Sequence, residues 1–203
     1  MEKKQTRFQR KDSLSRRQDL IDAGIRCLGE GGISSFTIDK ICKQARVSRG
    51  LINHHFNSKD ELLLSIYDNM TGYLTEDNSA LTAGEQIGRI VEKSFDENSF
   101  EKSNLRAWLA IWGEVATHGE LKQLHENRYR QYKHKLSAAI VSIAEQQGLT
   151  LDADSLARQL IALIDGLWLE YCLHSEGFSL AAARRDCFQF LQMQLGDFDV
   201  EKN

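Results

Sequence analysis

The chain contains no proline in its 203 residues, and apolar side chains recur along most of it at helical spacing. Proline is the residue that most strongly ends an α-helix. Apolar residues repeated every three or four positions predict helices with one buried face, whereas few segments show the two-residue alternation typical of strands. The sequence therefore predicts an all-α fold.

The N-terminal part predicts a mobile basic arm at residues 1–15, followed by a domain of three short helices at 16–62. The arm is expected to move because its residues are polar. The glycine-rich sequence at 30–32 is a typical helix end. Thr37 and Ser48 are suited to cap the second and third helices, because a hydroxyl can accept a hydrogen bond from a first-turn N–H.

The remaining residues, 63–203, predict a bundle of longer amphipathic helices. Ser58 precedes a helix with acidic residues in its first turn, where the helix dipole favours them. Asp152 and Ser179 are expected to cap two of the later helices. Beyond residue 80, the apolar spacing predicts helices at 84–99, 104–117, 119–147, 152–175 and 179–195.

Charge is distributed unevenly along the chain. Residues 1–60 carry 13 Lys and Arg against 7 Asp and Glu, whereas the other residues carry 13 against 22. A basic segment attached to an acidic remainder favours contact with a polyanion through the basic part. A chance drift in mixed surface charge is the alternative.

Several protein classes are disfavoured by what the sequence lacks. The four cysteines are far apart in the sequence and form no C-x-x-C pair; they are Cys27, Cys42, Cys172 and Cys187. This spacing favours reduced thiols in a cytoplasmic protein. The apolar stretch 160–173 is interrupted by Asp165 and Glu170, so we expect no membrane span. There is no G-x-S-x-G, phosphate loop or H-E-x-x-H, so we expect neither an enzyme nor a cofactor.

Residues 37–56 have the layout of a helix-turn-helix, in which a capped helix, a tight turn and a second capped helix follow one another. Five apolar residues are expected to hold the two helices together: Ile38, Ile41, Val47, Ile52 and Phe56. The outer side would then present four residues that can enter a major groove: Arg49, Gly50, Asn53 and His54. Because any helical hairpin can produce this pattern, the basic charge of the segment is needed to favour DNA binding.

The histidines raise the alternative of a metal site. His54 and His55 are adjacent on a helix and point about 100° apart, so they cannot easily bind one metal ion. His118 and His125 are seven residues apart and could share a helix face, and His134 also belongs to the middle helices. No cysteine or carboxylate completes a ligand set at the usual spacing, so we expect no metal.

Residues 17–63 resemble the N-terminal domain of the tetracycline-repressor (TetR) family of transcriptional regulators. The resemblance rests on A-G-I-R-C-L-G-E-G-G, F-T-I-D-K-I, A-R-V-S-R-G-L-I, H-H-F and S-K-D-E-L-L. It implies that phosphates are contacted by Thr37, Ser48, Asn53, His55 and Lys59, and that Arg49 and Gly50 begin the surface that contacts base edges. The family usually has glycine at the position of Arg46 and aromatic residues at those of Asn53 and His55. Arg46 is therefore expected either to strain the turn or to add a phosphate contact.

The C-terminal part resembles a branch of the same family whose members respond to choline. The resemblance rests on S-F-D-E, L-R-A-W-L-A-I-W and L-I-D-G-L-W-L-E-Y. It implies a ligand-sensing and dimerisation domain over residues 63–203, a homodimer that binds double-stranded operator DNA, and a small-molecule effector that relieves repression. The helix after Ser58 would transmit the change to the DNA-binding domain. An unrelated pathway with another ligand, a helical enzyme and a protein-binding adaptor are the alternatives.

Aromatic residues in this part are candidates for the effector site. Trp108 and Trp112 are four residues apart and share one helix face, while Trp168 and Tyr171 are three apart and share another. If the two faces meet, their rings could bind a quaternary ammonium such as choline, with Asp165 supplying a negative charge. Glu114 and Glu170 are alternative sources of that charge, and packing in an ordinary core is the alternative role of the tryptophans.

Apolar residues on the last two helices are candidates for the dimer interface. They are Leu156, Leu160, Leu163 and Leu167 on one helix and Phe188, Leu191 and Leu195 on the other. Pairing across a twofold axis and burial in an ordinary core both fit them.

Overall fold

The computed structural model describes the backbone of residues 2–97 and 101–199 and the side chains of residues 13–97, 101 and 103–199. Within these ranges it contains helices and no strand, as the sequence predicts. The helices are α1 (Glu2–Gly31), α2 (Ile38–Ala45), α3 (Arg49–His55), α4 (Lys59–Thr71), α5 (Ala83–Ser94), α6 (Lys102–Val115), α7 (Gly119–Gln147), α8 (Ala153–Leu173) and α9 (Leu180–Leu195). Short 3-10 turns occupy Ile33–Ser35 and Gly72–Thr75.

Three helices begin at the residues whose side chains were expected to cap them. Thr37 Oγ1 accepts a hydrogen bond from the N–H of Lys40 at the start of α2, and Asp152 Oδ1 accepts one from Ser155 at the start of α8. Ser179 does the same for α9. By contrast, Ser48 precedes α3 without a side-chain cap bond. The helix predicted at 84–99 ends at Ser94, and residues 98 and 99 lie outside the described part of the chain.

The chain divides into two compact units. The first comprises Met1–Met70 and Lys102–Leu124, and the second comprises Thr71–Glu101 and His125–Asn203. The first unit therefore includes α6 as well as the helices expected in the DNA-binding domain. The domain boundaries at 15 and 62 stay predictions, as does the mobility of residues 1–15, where α1 already begins at Glu2.

The core of the first unit fixes α2 and α3 against α1. Ile41, Ile52 and Phe56 are at most 1% exposed, as expected for the residues that join the two helices. Ile38 and Val47 pack against the same core. On the other side of α1, a Cβ atom at Gly29 would lie 2.3 Å from the carbonyl oxygen of Ser103 in α6, so only glycine permits the two helices to approach this closely.

The second unit contains an apolar core to which α8 and α9 contribute. Leu156, Leu160, Leu191 and Leu195 are at most 6% exposed. These predicted interface residues therefore lie in the core of the protomer itself. The exposed apolar residues of the two helices lie elsewhere on them and include Leu173, which is 70% exposed. No helix within the described residues is long and apolar enough to cross a membrane.

Candidate DNA-binding surface and effector site

The turn between α2 and α3 is built on Arg46. Its backbone adopts φ 56° and ψ 45°, the left-handed conformation, and its N–H donates to the carbonyl oxygens of Cys42 and Lys43. The N–H of Val47 donates to Cys42 O over 3.0 Å and closes the turn. Arg46 is the one non-glycine residue with a positive φ in the described part of the chain. The turn thus requires the conformation that glycine adopts freely, and a side chain there is strained.

Replacing Arg46 with glycine is expected to stabilise the protein by about 1 kcal/mol, because the strain of the left-handed conformation is removed. Thermal unfolding followed by circular dichroism should then shift upward by about 2–4 °C. Arg46→Ala is the matched control, since alanine loses the same charge but keeps the Cβ atom. If Arg46→Gly melts at or below Arg46→Ala, the turn is not strained at this position.

One face of α3 is buried and the opposite face is exposed. Ile52 is 1% exposed and fixes the helix to the core. Four side-chain positions on the other face are exposed: Arg49, Gly50, Asn53 and His54. Exposure on one continuous face of a short helix is the geometry with which a helix-turn-helix enters a major groove.

Arg49 is held by an acidic residue of α2 that the sequence analysis did not identify. Arg49 Nε donates to Asp39 Oδ1 over 2.8 Å, and both side chains are more than two thirds exposed. An exposed ion pair contributes at most about 1 kcal/mol, so a base edge or phosphate can replace it. Asp39 therefore orients the guanidinium beside the exposed face of α3. Sequence spacing alone does not pair the two residues, because they lie on different helices.

The other predicted phosphate contacts surround this face. Thr37, Arg46, Ser48 and Lys59 are exposed. His55 is half-buried, and its ring centroid lies 6.5 Å from that of Phe56. Burial is the main cause that lowers the pKa of His55, and the neighbouring His54 and Arg17 lower it further. A neutral imidazole can donate one hydrogen bond to a phosphate without adding a charge.

The other histidines take part in local contacts. His118 Nδ1 accepts a hydrogen bond from the N–H of Leu121 over 3.2 Å, and its Nε2 lies 3.8 Å from Asp60 Oδ1. The ring of His125 lies 6.2 Å from that of Tyr129. Among the described residues, no group of three or more potential metal ligands is found.

The predicted aromatic pair of α6 belongs to the first unit. The ring centroids of Trp108 and Trp112 lie 5.9 Å apart, and Trp108 also makes an edge contact with Tyr67 at 6.2 Å. Both tryptophans are half-buried. They therefore form a partly accessible aromatic surface as well as a packing contact.

The second predicted aromatic pair and Asp165 belong to α8 and the second unit. Trp168 is 7% exposed, and Tyr171 makes an edge contact with Phe178 at 5.1 Å between ring centroids. Burial raises the pKa of the Asp165 carboxyl to about 6. The expected meeting of this pair with the tryptophans of α6 stays a prediction.

Two tyrosines of the second unit were missed by the sequence analysis. Tyr132 on α7 is 5% exposed, and Tyr73 lies in the 3-10 turn after α4. Burial is the main cause that raises the pKa of each phenol, and the charge of Asp165 raises it further. The signal for Tyr132 was its spacing from the apolar positions Leu136 and Ile140, which places it on the buried face of α7.

The same unit also contains a cavity of about 340 Å³ between α5 and α7. Ile87, Ile90 and Leu136 supply apolar walls, and Asp77 and Lys135 supply charged groups. No aromatic ring lines this cavity, so it lacks the ring faces that attract a quaternary ammonium.

Comparison with known proteins places both parts of the chain in one family. Residues 20–66 match the model of bacterial regulatory proteins of the tetR family, and residues 83–196 match that of the C-terminal domain of BetI-type transcriptional repressors. The HTH-type transcriptional regulator BetI of Cronobacter sakazakii is 31% identical, over 89% of this chain and 91% of that protein. The protein of the same name from Rhizobium meliloti is 29% identical over 83% of both chains.

Solved structures agree with this assignment. A structure from Pseudomonas aeruginosa PAO1 superimposes with a TM-score of 0.76 at 32% identity, covering 90% of this chain and 91% of that one. A protein from Saccharomonospora viridis in complex with choline gives a TM-score of 0.69 at 24% identity, covering 87% and 95%. The latter likeness concerns the fold alone. The chain therefore belongs to the tetR family of bacterial transcriptional regulators and carries the C-terminal domain of BetI-type repressors.

Proposed function

We propose that this repressor binds operator DNA as a homodimer through α3 and its flanking turns, and that a small cation releases it. The observation that carries the proposal is the exposed face of α3, where Arg49, Asn53 and His54 lie opposite the buried Ile52. Arg49 and Gly50 would contact base edges, because they open the recognition helix. Phosphates, which position the helix, would be contacted by Thr37, Arg46, Ser48, Asn53, His55 and Lys59.

A gel-shift experiment with DNA from upstream of the protein's own gene tests this function. We expect retention of one fragment at low salt and a steep loss of affinity as salt increases, because phosphate contacts release counterions. Binding that is weak at low salt, or that does not change with salt, would contradict the proposed function.

Arg49 and Lys59 should affect DNA binding in different ways. Arg49→Ala is expected to lower the affinity for the preferred operator about 5- to 150-fold, since a base contact is lost. It should also relax the base preference at one position. Lys59→Ala should lower the affinity for all DNA sequences alike. It should also reduce the slope of log affinity against log salt concentration by about 1. Competition assays with operator variants at two salt concentrations measure both effects. An unchanged base preference in Arg49→Ala would remove Arg49 from the base-contacting surface.

The proposed dimer interface is an exposed apolar face of α8 and α9. Ala162, Gly166, Leu169 and Leu173 follow one another at helical spacing, and among the described residues beyond its own stretch of helix no atom lies within 4 Å of a Cβ built at Gly166. Leu169 and Leu173 are 41% and 70% exposed, and Met193 on α9 is 82% exposed. A second copy of the chain fits this face, because a twofold dimer presents two recognition helices to two half-sites.

The proposed effector is a quaternary ammonium cation such as choline. The choline bound to the Saccharomonospora viridis protein, which shares the fold, supports this class of ligand. So do the aromatic rings of Trp108, Trp112, Trp168 and Tyr171, whose faces attract cations. The effector would act by population shift, because a ligand that prefers the conformation with low operator affinity lowers DNA binding.

A further inference from the structure

The guanidinium of Arg17 joins α1 to α4 and to the end of α3. Its Nη2 donates to Ser65 Oγ on α4 over 2.8 Å. Its Cζ lies 4.7 Å from the centroid of the Phe56 ring, which directly follows α3. Phe56 is 1% exposed, so its ring is fixed in the core. The hydrogen bond and the attraction of the cation to the ring face together hold the guanidinium in one orientation.

Arg17 keeps hydrogen-bonding capacity beyond these contacts. A guanidinium has five N–H groups, and the hydrogen bond to Ser65 uses one of them. The side chain is half-buried, so part of it remains accessible. Among the described residues its neighbour Arg16 pairs with Asp19, whereas no carboxylate pairs with Arg17. A cation that the protein orients but does not neutralise is suited to bind an anion from outside.

His55 lies against the same aromatic ring as Arg17. It is the last residue of α3, and its ring centroid lies 6.5 Å from that of Phe56, within the usual range of ring contacts. Burial, the neighbouring His54 and the charge of Arg17 lower the pKa of His55, in that order. A neutral histidine donates one hydrogen bond to an anion but adds no charge. Arg17 has the charge that His55 lacks.

The segment that ends at Arg17 is strongly basic. The first 17 residues contain seven Lys and Arg against two Asp and Glu. Such a concentration of positive charge attracts a polyanion more than a small anion, because many charges act together. Since Arg17 is held beside the end of the exposed recognition helix, the polyanion that fits this place is the DNA that the helix contacts.

We propose that Arg17 and His55 hold one phosphate of the operator backbone at the C-terminal end of α3. Arg17 supplies the positive charge and a donor, His55 supplies a second donor, and Phe56 and Ser65 keep the guanidinium in place. Arg49 lies at the other end of the helix, so α3 is fixed in the groove at both ends. The proposal rests on the proposed binding of operator DNA and adds a residue of α1 to the contacting surface.

Operator titrations of the full-length protein at several salt concentrations test the charge of Arg17. Arg17→Gln should lower the affinity about 10- to 100-fold, because a charge-assisted hydrogen bond is lost. It should also reduce the slope of log affinity against log salt concentration by about 1 for each bound protomer. Arg17→Lys keeps the charge without the planar donors, so it should retain the slope and recover part of the affinity.

Arg26→Gln is the matched control for these titrations. Arg26 is exposed on α1, nine residues after Arg17 and therefore on the opposite side of the helix. Its replacement removes the same charge and should leave both the affinity and the salt slope as in the wild type. If Arg17→Gln has the same salt slope as Arg26→Gln, Arg17 does not contact a phosphate and the proposal is wrong.

A double-mutant cycle tests whether the two residues share one phosphate. His55→Phe keeps a ring beside Phe56 but removes the donor, so it should lower operator affinity about 2- to 10-fold and leave the salt slope unchanged. The loss of affinity in the double variant with Arg17→Gln should be at least about 2-fold smaller than the product of the two single losses. A loss equal to that product would place the two residues on separate phosphates and overturn the shared contact.

A purely structural role of Arg17 predicts a different result. Arg17→Gln would then lower both the melting temperature and the operator affinity without changing the salt slope, and this outcome would also overturn the proposal. Arg17→Met provides a second test if Arg17→Gln does not fold, because its apolar stem can still cover the Phe56 ring; it should show the same reduced salt slope. If the wild type retains no DNA at low salt, the proposed function fails. If the wild type retains DNA and Arg17→Gln keeps its affinity and salt slope, the phosphate contact fails alone.

Discussion

Replacing Leu169 with glutamate is expected to convert the proposed dimer into a monomer and to lower operator affinity on the order of 100-fold. Leu169 is 41% exposed on α8, between Gly166 and Leu173 on the same apolar face. In a twofold interface each substitution occurs twice, so two carboxylates would lose water without gaining partners. A monomer contacts one half-site and loses the gain in affinity that a second linked contact provides.

Leu149→Glu is the matched control for this experiment. Leu149 is also 41% exposed, but it lies in the connection between α7 and α8, outside the proposed interface. Analytical ultracentrifugation should give a monomer for Leu169→Glu and a dimer for Leu149→Glu. In gel shifts, only Leu169→Glu should lose operator affinity. A dimeric Leu169→Glu would show that the two copies meet through another surface.

The helices and the helix-turn-helix could be predicted because their signals are local. Apolar spacing fixes which face of a helix is buried, and Thr37, Asp152 and Ser179 lie at the first turns that they cap. The polarity of residues 1–15 predicts a mobile arm, which stays a prediction, but polarity does not predict that α1 begins at Glu2. Lysine, arginine, glutamine and glutamate form helices readily, so a polar segment can be helical.

The candidate interface and effector site required the structure because their signals are not local. On α8 apolar residues lie nearly all round the helix, and periodicity does not show which of them the chain itself covers. Leu156 and Leu160 are buried within the protomer, whereas Leu169 and Leu173 remain exposed. Likewise, the missing hydrogen-bond partner of Tyr132 cannot be recognised from spacing. These features depend on several helices at once.

The stability of α3 depends on a single fully buried side chain. The helix has seven residues and no side-chain cap bond, and Ile52 is its one fully buried member. An isolated helix of this length is unstable in water, because nucleation is costly and few hydrogen bonds follow it. Packing of Ile52 must therefore hold the recognition helix in place.

Ile52→Ala is accordingly expected to lower the free energy of unfolding by about 2–5 kcal/mol and to abolish specific operator binding. Denaturant unfolding and gel shifts measure the two effects, and Ile52→Val should cost only about 0.5–1.5 kcal/mol while retaining DNA binding. Leu51→Ala is the control on the same helix. Leu51 is only half-buried, so its replacement should cost less stability than that of Ile52. We expect operator binding to decrease more than global stability in Ile52→Ala, because a seven-residue helix without a cap bond opens locally at lower free energy than the whole unit. Wild-type affinity for the operator in this variant would mean that the turn at Arg46 and the residues after α3 are sufficient to position the helix.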